Sequence, residues 1–283
     1  MTASTDDLRT TAGPDVPLAP RTAWWTSLRA IVAREALRFL GQRERFFAAL
    51  VRPLVWLLVF AAGFRAALGL SIIPPYQTYI TYETYIVPGL CGMILLFNGM
   101  QSSLSLVYDR ETGSMRLLLT SPQPRWWLLT CKLIAGTCVS ILQAYAFLAI
   151  AALFGLVMPW AGYILVLPAL FVGGLMLGAL GLALSSFVKQ LENFAGVMNF
   201  VIFPMFFLSS ALYPLWKMEE SSQILRDICA VNPFTHAVEL IRFALYAQFN
   251  GWALLWTVVA ALGFGALALW GYDPARGMTR TGG

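Results

Sequence analysis

Charged residues are scarce in this sequence: Asp, Glu, Lys and Arg together make up only 12% of its 283 residues. A soluble globular domain carries about a quarter of its residues as charges, which keep its surface hydrated. Hydrophobic residues make up 59% of the chain instead. The composition therefore excludes an ordinary soluble domain and indicates a protein that places most of its surface in lipid.

A built-in energy source is also missing from the sequence. The chain contains three lysines, Lys132, Lys189 and Lys217, and none completes the Gly-x-x-x-x-Gly-Lys pattern of a phosphate-binding loop. The long apolar runs hold no carboxylate, which a carrier coupled to protons or sodium needs near the middle of the membrane. Neither ATP coupling nor ion coupling is therefore expected from this polypeptide itself.

Residues for catalysis or metal binding are equally few. The chain has one histidine, no Gly-x-Ser-x-Gly elbow and no His-Glu pair with zinc spacing. Its four cysteines lack the Cys-x-x-Cys spacing of metal or redox sites, and we expect them to be small apolar residues in or near membrane helices. We therefore expect no catalytic site and no metal site, and an intramembrane enzyme acting on lipid is the weakest hypothesis.

Long uncharged runs are what the sequence has in place of these features. They cover residues 84–108, 133–188, 193–216 and 243–272. A membrane-spanning helix needs about 20 apolar residues, so three runs fit one span each and the longest fits two, with a turn at Met158–Gly162. A further span lies near 48–70, where we expect Arg52 and Arg65 to reach towards opposite interfaces. These runs predict an all-α membrane protein with six transmembrane helices.

Basic residues are distributed unevenly between the two predicted sides of the membrane. If the N-terminus is inside, fifteen of the nineteen lie in inner segments, and only Arg65, Lys217, Arg226 and Arg242 lie in outer ones. The positive-inside rule then places both termini in the cytoplasm. The same bias accounts for the net charge of +5, so we expect no nucleic-acid partner.

The chain divides into four segments, of which the third contains the predicted spans. Residues 1–21 mix acidic residues with prolines and lack an apolar core, which predicts a disordered cytoplasmic tail and not a cleaved signal. Residues 22–47 predict a basic amphipathic helix in the inner headgroup layer, with a helix packed on other protein as the alternative. The six-helix domain covers 48–272, and 273–283 form a C-terminal cytoplasmic tail. The apolar face of the amphipathic helix holds Trp25, Leu28, Val32, Ala36 and Phe39.

A charged stretch, VYDRETGSMRLLLTSP, interrupts the apolar runs on the cytoplasmic side. Gly113 permits a sharp change of chain direction, and residues 114–119 can form a short helix with an apolar face before Pro122 and Pro124 end it. The residues alone leave two interpretations open. The helix either transmits force from a partner to the two spans that it joins, or lies passively on lipid.

Four tyrosines recur at every third position on the predicted outer side, at Tyr76, Tyr79, Tyr82 and Tyr85. Anchoring at the membrane interface is the ordinary role of such residues. A stacking surface for a glycan or another ligand is the alternative. Both interpretations predict rings on the surface of the chain.

The outer segment before the last span has its own pattern. Asn232 followed by Pro233 predicts a helix N-cap and first helical residue. His236, Glu239 and Arg242 follow at intervals of three, so they share one helix face. We expect a hydrogen-bonded trio at the outer interface, because these ligands are too few for a metal site.

Several segments resemble permease subunits of type-2 ABC exporters. YDRETGSMRLLLTSPQPRWWLLTCKLIAG is similar to that family's E-x-x-x-G-T-x-x-x-L-x-x-S-P stretch and the Lys that follows it at the start of span three. VNPFTHAVELIR resembles the N-P-x-T-H-x-V-x-x-I-R segment before the last span, and TYIVPGL and FLSSALYPL are similar to the opening of span two and the end of span five. The likeness covers nearly the whole chain beyond about residue 25, and the nodulation-factor, drug-resistance and polysaccharide exporters form the most similar subgroup.

The resemblance implies a cytoplasmic coupling helix at about 109–124 and two short re-entrant outer helices around 213–245. It also implies a separate ATPase subunit that binds ATP and Mg, with two permease and two ATPase copies per complex and no cofactor on this chain. The family often has an acidic residue soon after the glycine, where this chain has Met115 and Arg116, so the ATPase groove is expected to carry compensating charge. The implied coupling residues are Asp109, Arg110, Glu111, Thr112, Gly113, Met115, Arg116, Leu118 and Leu119.

The predicted function is that of a permease subunit in an ATP-driven exporter of the bacterial cytoplasmic membrane. It would form the substrate path, pair with a second permease copy as a homodimer within membrane lipids, and carry a lipid-linked, glycan or hydrophobic substrate. The alternative is a membrane-anchored assembly or regulatory subunit that binds a partner without moving a solute.

Overall fold

Helices make up nearly all of the part of the chain that the structure describes. This computed structural model describes residues 21–41, 43–64, 74–76, 80–111, 124–188 and 190–272. The predicted all-α class is confirmed. The helices are α1 (Arg21–Gly41), α2 (Arg43–Phe64), α3 (Tyr82–Glu111), α4 (Arg125–Leu153), α5 (Trp160–Phe187), α6 (Leu191–Phe207), α7 (Leu215–Ser221), α8 (Gln223–Val231), α9 (Pro233–Leu245) and α10 (Gly251–Gly271).

Four of these described helices are long and apolar enough to cross a membrane, judged by length and composition. Their apolar parts are Tyr82–Tyr108, Trp126–Leu153, Trp160–Phe187 and Gly251–Gly271. Two further apolar stretches, Leu50–Phe60 and Leu191–Phe207, are shorter. They lie where the sequence predicts the first and fifth spans, so the count of six spans stays a prediction.

Helix α5 lies at the centre of the fold, because its sequence is apolar or small on every face. It packs against α3, α4, α9 and α10. Helix α3 is its most buried neighbour and also contacts α2, α4, α6 and α9. Helix α10, by contrast, leaves most of its large apolar side chains exposed. The interior is filled by large side chains that include Phe147, Phe206, Phe234, Leu90 and Leu96.

Glycines allow α3 and α5 to touch backbone to backbone. A Cβ atom added at Gly181 would lie 2.7 Å from the carbonyl oxygen of Gly99, and one added at Gly99 would lie 2.9 Å from the amide nitrogen of Gly178. Real Cβ contacts do not come this close to backbone atoms, so only glycine fits at these positions. The glycines of α5 therefore form a packing face.

Because of this contact, we expect an added methyl group to lower the free energy of unfolding at Gly181 but not at an open position. Gly181→Ala is expected to destabilise the folded chain by about 1–3 kcal/mol, because α3 and α5 must move apart to admit the new Cβ. Gly263→Ala on α10 is the matched control, since nothing lies within 4 Å of its added Cβ. Thermal unfolding of the purified chain in detergent compares the two. Equal midpoints for both variants would contradict the close contact.

Two helix boundaries differ from the sequence prediction. The predicted amphipathic helix at 22–47 is not one of them, since its described residues are helical up to Gly41 in α1 and from Arg43 in α2, and Gln42 lies outside the described residues. Helix α3 continues through Glu111, so the first residues of the predicted coupling helix belong to the end of α3. The outer segment contains three short helices, not the two implied by the resemblance, because Ser222 adopts an extended conformation between α7 and α8.

Arg52 of α2 contacts α3. Its guanidinium carbon is 3.9 Å from the centroid of the Phe97 ring. Phe97 is two residues from the middle of the apolar stretch Tyr82–Tyr108. Packing of α2 along α3 therefore places this arginine beside the central part of that stretch, and its reach towards the inner interface stays a prediction. Arg65 lies outside the described residues.

Candidate functional site

The inner ends of α3 and α4 are joined by side chains from both helices. The Nζ atom of Lys132 donates a hydrogen bond to Oγ of Ser105 at 3.1 Å. One turn deeper, a Cβ atom on Gly136 would lie 3.1 Å from Oγ of Ser102, so the two backbones approach closely here as well. These helices flank the predicted coupling helix. Their contacts mean that a force on the connection between them acts on both.

Helix α1 packs against the start of α4 at the same inner end. The Trp24 ring centroid lies 5.6 Å from that of Trp126 and 5.3 Å from that of Trp127. Trp25, which was predicted on the apolar face, is 68% exposed. Other parts of this chain therefore cover one face of α1, a contact that the sequence did not indicate. The position of α1 in the headgroup layer stays a prediction.

Most of the predicted coupling residues lie outside what the structure describes. Asp109, Arg110 and Glu111 form the last turn of α3. Thr112, Gly113, Met115, Arg116, Leu118 and Leu119 lie outside the described residues, and their coupling role stays a prediction. The described residues on either side of this stretch are Glu111, in α3, and Pro124, the N-cap of α4.

The predicted N-cap of the outer segment is present. The Oδ1 atom of Asn232 accepts a hydrogen bond from the amide of Phe234 at 2.9 Å, and Pro233 occupies the first helical position. The Asn232 amide group also donates to the carbonyls of Met205 and Leu208, at 2.9 and 2.6 Å. This side chain therefore starts α9 and ties it to the end of α6.

Arg242 connects α9 to two other parts of the outer end. It is 2% exposed, pairs with Glu239 on its own helix, and donates through Nη2 to the carbonyl of Ser210 at 2.8 Å. Its guanidinium carbon lies 4.1 Å from the ring centroid of Tyr85, whose hydroxyl donates to the same Ser210 carbonyl at 3.0 Å. The buried cation thus meets one carboxylate, one carbonyl and one aromatic face, while its Nε atom has no hydrogen-bond partner among the described residues. We call Arg242, Glu239, Ser210 and Tyr85 the outer clamp.

His236 differs from its predicted role in a trio. Its ring stacks on Trp256 of α10 with centroids 6.0 Å apart and an interplanar angle of 20°. The hydrogen bonds found among the described residues join Arg242 to Glu239 and do not include one from His236 to either. Burial lowers the pKa of His236, so the ring is neutral at neutral pH. The predicted trio is therefore a pair, and the histidine joins α9 to α10.

Three of the four predicted outer tyrosines are buried, contrary to both interpretations of their spacing. Tyr76, Tyr82 and Tyr85 are each less than 5% exposed, while Tyr79 lies outside the described residues. The Tyr76 ring packs against Tyr246 at 4.7 Å between centroids, and burial raises its pKa to about 12. Tyr85 contacts Arg242 of α9, and Tyr82 contacts Phe60 of α2. In the described chain they present neither an interfacial anchor nor an open stacking surface.

Sequence reasoning missed a polar pair at the centre of the fold. Asn98 of α3 donates a hydrogen bond through its side-chain amide to Oε1 of Gln143 on α4. Gln143 is 1% exposed, and its Nε2 atom has no partner among the described residues. The sequence does contain a signal for this pair, because both are amide residues within long uncharged runs. Their meeting depends on the packing of two helices that are 45 residues apart at this point.

Comparison with known proteins agrees with this architecture. The profile of the ABC-2 type transporter family matches residues 26–246. A putative transport permease ycf38 of Porphyra purpurea is 29% identical over 220 residues, covering 76% of this chain and 72% of its own length. The probable multidrug ABC transporter permease YbhR of Escherichia coli K12 is 30% identical over 170 residues, covering 59% of this chain and 45% of its own length.

A nodulation protein provides a third point of comparison. Nodulation protein J of Rhizobium leguminosarum bv. viciae is 29% identical over 122 residues, which is 43% of this chain and 42% of its own length. The family profile covers the inner ends of α3 and α4 and the outer clamp within one continuous match. Four long apolar helices fit a membrane subunit of such a transporter. The chain is therefore a membrane protein that belongs to the ABC-2 type transporter family.

Proposed function

We propose that this chain is the permease subunit of an ATP-driven exporter and that a separate ATPase subunit drives it. The observation that carries the proposal is the joined inner end of α3 and α4, made by Lys132 and Ser105. The predicted coupling helix connects these two helices. A partner that moves against the coupling helix therefore moves α3 and α4 together.

The proposed assembly is the one that the resemblance to type-2 ABC exporters implies. ATP and Mg bind to the partner ATPase, and two permease and two ATPase copies form the complex. The substrate is a lipid-linked, glycan or hydrophobic molecule, since the exposed faces of α2, α6 and α10 are apolar. The outer clamp holds α9 against α3, so the outer segment moves with the same helices that receive the force.

Co-purification with an ATPase tests this function. We expect an ABC ATPase to co-elute with the tagged chain, and its hydrolysis in liposomes to rise when the permease is present. An ATPase that binds without any change in hydrolysis would contradict the proposal and support an assembly or regulatory subunit. Export activity would then be measured in the same liposomes with candidate amphiphiles.

Location and orientation form a separate part of the proposal: a bacterial cytoplasmic membrane, with both termini inside. Single cysteines are placed in a chain whose four native cysteines are changed to Ser. Trp160→Cys and Ser222→Cys should react with a membrane-impermeant thiol reagent from outside in intact cells. Thr112→Cys and Met278→Cys should react only after the membrane is opened. Reaction of Thr112→Cys in intact cells would reverse the proposed orientation.

A further inference from the structure

Arg52 places a positive charge in the middle of the apolar layer. It contacts Phe97, which is fifteen residues from Tyr82 and eleven from Tyr108. At 1.5 Å per residue, these distances along α3 are roughly 22 and 16 Å. The hydrocarbon layer is about 30 Å thick, so the guanidinium lies near its centre. A charge at this depth is costly, and ionisable residues found there usually belong to a path for a solute.

No protein anion compensates this charge within the described chain. The ion pairs among the described residues involve other arginines and one lysine, and none reaches Arg52. The side chain is exposed on the flank of α2, and the ring of Phe97 covers only one side of it. The guanidinium therefore has hydrogen-bond donors that point away from the protein contact.

The donors of Arg52 determine which ligand it suits. A guanidinium without a neighbouring carboxylate suits a ligand with several acceptor oxygens. Phosphate and carboxylate groups fit the guanidinium with two parallel hydrogen bonds.

The surroundings of Arg52 indicate that this anion is attached to an apolar chain. Val51, Val55, Leu58 and Val59 are all about half exposed on α2. A resident lipid keeps its headgroup at the membrane surface, about 15 Å from the centre. A headgroup reaches Arg52 only while it crosses the membrane. The occupant that fits is therefore a transported amphiphile.

We propose that Arg52 forms a transit site for the phosphate or carboxylate group of an exported amphiphile. This inference rests on the proposed function and narrows its substrate to an anionic class. The anionic group pairs with the guanidinium over Phe97, while the apolar chain lies along the exposed valines and leucine of α2.

Direct binding tests the site without the ATPase. The full chain is purified in nanodiscs of phosphatidylcholine, and binding of radiolabelled hexadecyl phosphate is measured with hexadecanol and hexadecyltrimethylammonium as comparisons. We expect saturable binding of the phosphate alone. Arg52→Gln should weaken it by about tenfold or more, and Arg52→Lys should weaken it less.

Arg29→Gln is the matched control, because it removes the same charge from an exposed position on α1. It should bind as the native chain does. Native affinity in Arg52→Gln would overturn the proposal, and so would equal binding of the three probes. Complete competition by phosphatidylglycerol in the nanodisc would also overturn it, since the site would then hold a resident lipid. This binding experiment contains no ATPase. Failure of the ATPase co-purification would therefore contradict the proposed function without changing the binding result.

Discussion

Replacing Leu118 and Leu119 together with Asp is expected to release the ATPase from this subunit while the permease still folds. Both residues belong to the predicted apolar face of the coupling helix, which is proposed to sit in a groove of the ATPase. An unpaired charge buried in that interface costs several kcal/mol, enough to reduce co-purification to background. Folding is spared because the stretch is predicted to lie outside the membrane.

Two controls make this result specific. Ile224→Asp adds a carboxylate to an apolar position on the outer helix α8, where the native side chain is 73% exposed. Its ATPase yield should equal the native yield. Gel filtration of the released permease should give a single peak at the native volume. A double variant that retains its ATPase at the native ratio would show that residues 118 and 119 do not form the coupling surface.

Replacing Arg242 with Met is expected to cause the largest loss of stability. The change leaves Glu239, whose side chain is 23% exposed, without its partner and removes one donor from the Ser210 carbonyl. Removing one member of a buried ion pair costs about 3–5 kcal/mol, because the remaining charge stays away from water. Thermal unfolding in detergent should therefore begin at a clearly lower temperature.

A second variant separates the lost pair from lost packing. Glu239→Gln combined with Arg242→Met should recover part of the stability, since no charge is then left unpaired. Arg226→Met is the control, because Arg226 pairs with Asp227 at 3.0 Å on an exposed surface. That pair is worth about 1 kcal/mol or less. Equal losses from Arg226→Met and Arg242→Met would contradict the clamp.

The positions of the long helices could be predicted from the sequence because they depend on composition alone. The uncharged run 84–108 falls within α3, and the turn predicted at Met158–Gly162 separates α4 from α5. The N-cap at Asn232 could also be predicted, because the amide that its side chain binds belongs to Phe234, two residues further along. Each of these features is determined within a few neighbouring residues.

The predictions that were wrong concern contacts between segments that are distant in the sequence. The spacing of Tyr76 and Tyr85 says nothing about α9 and its C-cap, which they contact. Arg242 shares a helix face with His236, yet its second partner is the Ser210 carbonyl, 32 residues earlier. A local pattern identifies the face of a helix, but packing decides what that face meets. The contact of Arg52 with Phe97 was missed for the same reason, because it depends on the packing of α2 against α3.

The backbone contact between Gly99 and Gly181 has a genetic consequence. No solute can pass between α3 and α5 at such a distance, which closes one route through the chain and favours a path along an outer face. In the proposed two-copy assembly, residues of both copies then line that path. A transport-dead allele expressed equally with the native one would leave only about a quarter of randomly formed pairs with two native copies. Such alleles are expected to be dominant, lowering export in a diploid strain to well below half.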